Sequence, residues 1–203
     1  MHLELTQILT CPHCGPPNGL IAFVDRMEER RIVEGRLDCP VCERRHVVRG
    51  GTVLLSETVE VGGDPADDEL APAAAALLGP PEGPEILLLA GGAESLAPMI
   101  ADLRPEAAVV TFGAAPTAPH PRVYPIVRAP EESAGPHLPF RAGSFAGAVL
   151  TGAGSDLVGD VAASLEAGAR LVVLSPREGA PGHGAPLLRE LASDARARVS
   201  VRA

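Results

Sequence analysis

The sequence predicts an α/β protein: a Rossmann-like, doubly wound and mostly parallel sheet over residues 70–203, preceded by a small β-rich metal-binding module over residues 1–55. Three observations carry this reading. From residue 84 on, continuous apolar runs alternate with amphipathic segments, the pattern of parallel strands covered on both faces by helices. All four cysteines lie in the first 42 residues, as "CPHC" and "CPVC". Between the two parts, residues 56–69 hold six acids and no base around Gly-Gly and Asp-Pro, the composition of a solvated linker.

In the first module, Cys11 and Cys14 form one pair and Cys39 and Cys42 the other, 24 residues apart. Two CxxC turns each aim two thiolates at one point. Four thiolates make the tetrahedral shell that zinc prefers, so the spacing predicts a zinc ribbon with Cys11, Cys14, Cys39 and Cys42 as ligands. A closed shell leaves no position for water, which makes the zinc structural. Two disulfides would use the same residues, a reading that a reducing cytosol opposes. His13 and His46 read as bystanders. "LIAFV" and "RIVEGRLDC" are strand-like with "DRMEERR" as a polar connection, and "HVV" and "TVLL" are strands around an Arg-Gly-Gly turn. Zinc binding, on the order of 10 kcal/mol in small modules, replaces the core that so short a segment hardly supplies.

In the second part, "DDELAPAAAALLG" predicts a helix with an Asp N-cap and an end at Gly79. "EILLLA", "AAVVTF", "RVYPIV", "SFAGAVLT" and "ARLVVLSP" read as five strands, and "RVSVRA" as a sixth. Pro125 suits "RVYPIV" to a sheet edge. Helices are predicted in "AESLAPMIADL", where Pro98 is awkward, in "SDLVGDVAASLEAG", ended by Gly168, and in "APLLRELASDA".

Charge and composition exclude several functions. All 17 basic residues are Arg, so Lys chemistry is absent. Residues 1–55 balance 7 Arg against 7 acids, whereas residues 56–203 carry 10 Arg against 19 acids. An acidic body does not attract phosphate backbones, and nucleic acid is disfavoured as a partner. No stretch is apolar enough to span a membrane. The start "MHLELTQILTCPHC" has neither a basic lead nor an apolar signal core, which points to the cytoplasm. His120, His137 and His183 lie in Pro- and Gly-rich loops and read as solvent-facing. Gly152 and Gly154 in "GAGSDLVGD" make a turn too short for a phosphate loop.

Two resemblances follow. "LTQILTCPHC" with "LDCPVCERRHVVRGGTVLL" resembles the small zinc-ribbon proteins related to the activating subunit of eukaryotic tRNA and protein methyltransferases. His46–Val47–Val48–Arg49–Gly50–Gly51 stands where that family has an aromatic-hydrophobic-Ile-Arg-Asp-Gly segment, and "TVLL" where it ends "PVLL". The resemblance covers residues 3–55 and implies a protein-binding element, with "TVLL" at or near the contact.

The stretch "LPFRAGSFAGAVLTGAGSDLVGDVAASLEAGARLVVLSP" resembles the class I S-adenosylmethionine-dependent methyltransferases. Leu138, Pro139, Phe140, Ser144 and Phe145 keep the family's types, and Ala146 replaces an Asp. The register puts Leu88 at the acid that ends the first strand, and Ala90, Gly92 and Glu94 at the three glycines of the cofactor turn. Phe112 and Gly113 stand where an acid grips the ribose. Arg128 and Ala129, or Glu131 and Glu132 in a shifted register, stand near the adenine acid, and "TGAGSD" replaces the Asn/Asp-Pro-Pro-aromatic motif. These departures imply that S-adenosylmethionine is not bound and that the domain is a pseudoenzyme. If it is a divergent methyltransferase instead, Gly91, Gly92 and Glu94 are the cofactor-binding residues. The family's sheet ends in an antiparallel strand inserted beside the sixth. The short stretch after "LVVLSP" reads as one helix and one strand, a truncated version with an open side. That implies a homo-oligomer or a protein partner.

Overall fold

A computed structural model describes residues 1–55, 66–81, 83–115, 118–128, 138–175 and 186–203. The expected linker falls mostly outside these residues, at 56–65.

The module begins with a 3-10 turn at Leu3–Gln7, followed by β1 (Ile21–Glu28), β2 (Arg31–Asp38), β3 (Arg45–Arg49) and β4 (Thr52–Leu54), all antiparallel in sequence. Strand β1 runs further than expected. The connection shrinks to Glu29 and Arg30, both at positive φ (43° and 65°), a two-residue turn whose twist matches the strands it joins. A bulge around Asp25 and Arg26 breaks the β1 ladder.

The body contains α1 (Leu70–Leu77), β5 (Glu85–Ala90), α2 (Ala97–Leu103), β6 (Ala107–Gly113), β7 (Val123–Val127), β8 (Phe145–Thr151), α3 (Val158–Ser164), β9 (Leu165–Leu174), β10 (Leu188–Ser193) and β11 (Ala197–Arg202). Pro98 is not awkward after all. Residues Ala93–Leu96 form a 3-10 turn and Pro98 sits in the first turn of α2, where its missing N–H costs nothing. Gly79, at φ 89°, ends α1 as expected, but Asp67 acts one turn early, its Oδ1 accepting the Glu69 N–H at 3.1 Å.

Among the described residues, the eleven strands form one sheet in the order β1-β2-β3-β4-β7-β6-β5-β8-β9-β11-β10. The central five, β7-β6-β5-β8-β9, are parallel, which gives the Rossmann-like body. Three expectations are corrected here. First, "RVYPIV" is not an edge: β4 adds to β7 in parallel, pairing Val53 with Ile126 and Leu54 with Val127. Leu55 N–H donates to Val127 C=O and Arg128 N–H to Gly113 C=O, so residues 127 and 125 turn their backbones toward β4 and residues 126 and 128 toward β6. The missing N–H of Pro125 therefore falls just before the two-pair ladder with β4 and spoils no bond to β6. Second, "APLLRELASDA" is not a helix. Leu188–Ser193 pairs antiparallel with β11, which pairs antiparallel with β9. Asp194 Oδ1 accepts the N–H groups of Arg196 and Ala197 at 2.7 and 2.8 Å and closes the turn, and these bonds hold its pKa below the usual value. The inserted antiparallel strand is thus present, as β11, and the sheet is not truncated on that side. A bulge between Glu190 and Ala192 marks the outer strand. Third, α3 stops at Ser164, not at Gly168. Phe145 pairs with Leu165 and Gly147 with Arg170, so residues 166–169 form a bulge at the start of β9, with Gly168 at φ 83°.

Two cores flank the sheet. On one face α1 and α2 cover Leu87, Leu89, Val109, Val149 and Val172. On the other, one cluster joins module and body: Met1, Leu5, Leu9, Ile32, Leu37, Val48, Val53 and Leu55 pack with Leu88, Phe112, Tyr124, Ile126 and Phe140. The "TVLL" segment is accordingly an internal joint, with Val53 and Leu55 buried.

Candidate functional site

The four cysteine sulfurs converge at one point, all ligand atoms lying within 4.8 Å of one another. Cys11 Sγ lies 3.6 Å from Cys42 Sγ, and Cys14 Sγ 3.8 Å from Cys39 Sγ. Sulfurs about 2.3 Å from a single zinc stand about 3.8 Å apart at the corners of a tetrahedron. A disulfide would need about 2.05 Å, and all four cysteines are free. Each pair sits on a tight backbone turn, Gly15 N–H donating to Cys11 C=O and Glu43 N–H to Cys39 C=O. The Asn18 side chain bonds the Cys14 and Gly15 carbonyls and braces the first turn.

The electrostatics call for a cation. Burial raises the Cys11 thiol. The Cys42 thiol, then burial, pushes Cys14 up to about 12. At Cys39 burial opposes the thiolate, but the N–H groups of Cys42 and Val41 and the neighbouring thiols outweigh it and bring the pKa down to about 7. Four thiolates this close coexist only around a positive ion, and the donor set fits Zn2+. Neither His13 nor His46 belongs to the ligand cluster.

His46, within β3, is buried, and neither ring nitrogen makes a hydrogen bond of good geometry, although the Leu55 backbone lies close enough to favour the charged ring in part. Burial holds its pKa below the ordinary value. The unfolded chain therefore binds a proton that the folded one refuses as pH falls below ~6.5. Stability is full above that value and declines beneath it. His46→Leu should flatten melting temperature against pH between about 7 and 5, relative to the parent. Parallel curves for the two proteins would refute the role of this ring.

His120 is not solvent-facing: Nε2 lies 3.1 Å from Asp102 Oδ1, while Nδ1 accepts the Arg122 N–H at 3.2 Å. With the nitrogen nearest a carboxylate and the other taken by backbone, it braces the end of α2. His137 and His183 lie outside the described residues, as do Ala129, Glu131 and Glu132.

The crevice where an open α/β sheet takes ligands lies beyond the carboxyl ends of its strands, where strand order reverses. Here that is the tip of β5, between β6 and β8. Gly91 and Gly92 leave β5 at φ 61° and 97°, a turn only glycine makes cheaply. The chain after β8 closes on it. A Cβ on Gly91 would stand 2.4 Å from Gly154 Cα, one on Gly92 2.7 Å from Thr151 Oγ1, and the Thr151 hydroxyl donates to Gly91 C=O. Leu88, at the acid position, is fully buried. Phe112, at the other acid position, packs edge-on against Phe140 at 5.7 Å, which meets Phe145 at 4.9 Å.

Glu94 turns inward. Only 5% exposed, it accepts the Gly92 N–H on Oε2 at 2.7 Å, and its Oε1 would lie 2.6 Å from a Cβ on Gly113. Burial raises its pKa, against backbone N–H groups including that of Gly92. Sequence reasoning placed Glu94 toward a ligand. That the side chain folds back over its own turn was not legible, because it depends on the gap left by Gly113 on β6.

Two cavities, of about 520 and 670 Å³, open at the opposite end of the sheet. They are lined by residues such as Glu85 and Ala107, which begin β5 and β6.

No family model matches the chain, and no curated protein matches it. Solved methyltransferase structures do. The antibiotic-resistance methyltransferase Kmr is 12% identical over 65% of this chain and 92% of that one, with a TM-score of 0.41. Geranyl diphosphate C-methyltransferase from Streptomyces coelicolor A3(2), solved with Mg2+, geranyl diphosphate and S-adenosyl-L-homocysteine, is 19% identical over 58% of this chain and 50% of that one, TM-score 0.41. Phosphoethanolamine N-methyltransferase 2 from Haemonchus contortus, solved with S-adenosyl-L-methionine, is 14% identical over 56% and 29%, TM-score 0.40. The chain thus spans half or less of the last two enzymes. Among the described residues no helix is long and apolar enough to cross a membrane.

Proposed function

We propose that the chain is a zinc-stabilised, non-catalytic protein of methyltransferase-like fold that serves as an interaction or scaffold subunit. The observation that carries this is the close backbone approach of Gly154 to Gly91, which packs the chain after β8 against the turn at the tip of β5. Phe112 and Leu88, apolar where the methyltransferase pattern has acids, support the same reading. So does the distribution of exposed large apolar side chains. Ile21, Phe23, Val24, Met27, Val41 and Val47 lie in the module, against Met99, Leu103, Leu187 and Leu191 in the larger body. Register places Phe23, Arg36 and Val47 side by side across one face, the kind of clustering that marks contact surfaces.

Calorimetry with S-adenosylmethionine and S-adenosylhomocysteine tests the reading. No binding and no thermal stabilisation are expected. A dissociation constant of tens of micromolar or tighter would overturn it. The second reading, a divergent S-adenosylmethionine-dependent methyltransferase, draws on the left-handed Gly91–Gly92 turn, which keeps the shape of a cofactor loop. Gly91, Gly92 and Glu94 would then move to line the site.

A further inference from the structure

Glu94 is an anomaly among the carboxylates. Its side chain is 5% exposed, and none of the described ion pairs includes it. A buried carboxylate without a cation costs several kcal/mol unless hydrogen bonds replace its water. Here backbone replaces it. Burial is the larger effect and raises the pKa, but the Gly92 N–H donates to Oε2 at 2.7 Å, and the amides of Gly91 and Ala114 also favour the charged form. The surroundings are shaped to the group. Gly91, Gly92 and Gly113 all hold positive φ, and Oε1 fills the space that any side chain at position 113 would need. The carboxylate therefore spans two strands, from the turn after β5 to the end of β6. Thr151, bonded to Gly91, and Gly154, packed on it, tie the end of β8 to the same turn.

We propose that the Glu94 carboxylate is an internal anion that locks the tips of β5, β6 and β8 together, seated in a backbone N–H pocket that accepts a free small carboxylate once Glu94 is shortened. The proposal deepens the non-catalytic reading by naming what keeps the crevice shut, but it stands on the carboxylate's own contacts. It holds whether or not the opened variant binds S-adenosylmethionine.

The test is chemical rescue. Glu94→Ala should melt roughly 5 °C below the parent, having lost hydrogen bonds to a charged group. Sodium formate should return at least half of that loss, and sodium chloride at equal ionic strength should not. Formate should leave the parent unchanged. Equal melting temperatures for parent and variant would refute the lock. So would a formate effect of the same size in both. Should Glu94→Ala not fold, Glu94→Gln keeps the shape and places an amide against N–H donors. The amide offers one acceptor where the carboxylate offers two, so hydrogen exchange at one or more of Gly91, Gly92 and Ala114 should accelerate at least tenfold over the parent, and unchanged exchange at all three would equally refute the proposal.

Discussion

Chelation of the metal, or Cys39→Ser, is expected to unfold the whole protein and not the first 55 residues alone. Binding of zinc to a four-cysteine site is worth on the order of 10 kcal/mol, comparable to the ~5–15 kcal/mol that holds an entire domain. The module's share of the common core is eight buried side chains, from Met1 to Leu55. At about 1.5–3 kcal/mol each, their loss amounts to about 12–24 kcal/mol, as large as such a margin. The seam is also hydrogen-bonded: Thr10 N–H donates to Pro139 C=O and Arg141 N–H to Ile8 C=O, immediately beside Cys11, the first cysteine of the cluster. Metal analysis should find one zinc per chain, and far-ultraviolet circular dichroism should collapse in a single transition on chelation. Markedly less than one zinc, or a body that keeps its ellipticity and melting temperature without metal, would overturn this.

The second large effect is expected at the other end of the strands. Arg104, 6% exposed at the end of α2, reaches Glu85 Oε1 at 2.5 Å and the Gly79 carbonyl, joining α1, α2 and β5. Glu85→Ala leaves a guanidinium buried with no counter-charge, a cost of about 3–5 kcal/mol. For a chain of this size that lowers the melting temperature by roughly 10 °C. The double variant Glu85→Leu with Arg104→Met should recover much of the loss, since the charge goes with its partner. A Glu85→Ala protein within a degree or two of the parent would show that the pair contributes little.

The convergence of the four cysteines was legible, because CxxC spacing constrains geometry wherever the chain goes. So were β5, β6 and β8, whose unbroken apolar runs leave one reading. The errors sit where tertiary pairing overrides local pattern. "APLLRELASDA" has helix-forming composition, but Asp194 favours a turn and β11 offers a ladder. Pro125 read as an edge signal because a sequence does not reveal which side of a strand a backbone nitrogen faces. The joint between "TVLL" and β7 was hidden for a related reason: nothing in a short apolar segment says whether it pairs within the chain or with another.

The bulges on the two outermost strands also limit how this protein meets others. At β1 the ladder is interrupted around Asp25, and at β10 between Glu190 and Ala192, with arginines and acids along both strands. Irregular, charged margins resist the docking of another strand. Recognition by strand addition, in which an extended peptide lengthens a sheet through its main chain, is therefore disfavoured at both of these strands. A partner of the kind proposed above would read side chains on a face, and its selectivity would rest on amino-acid identity and not on a generic affinity for backbone.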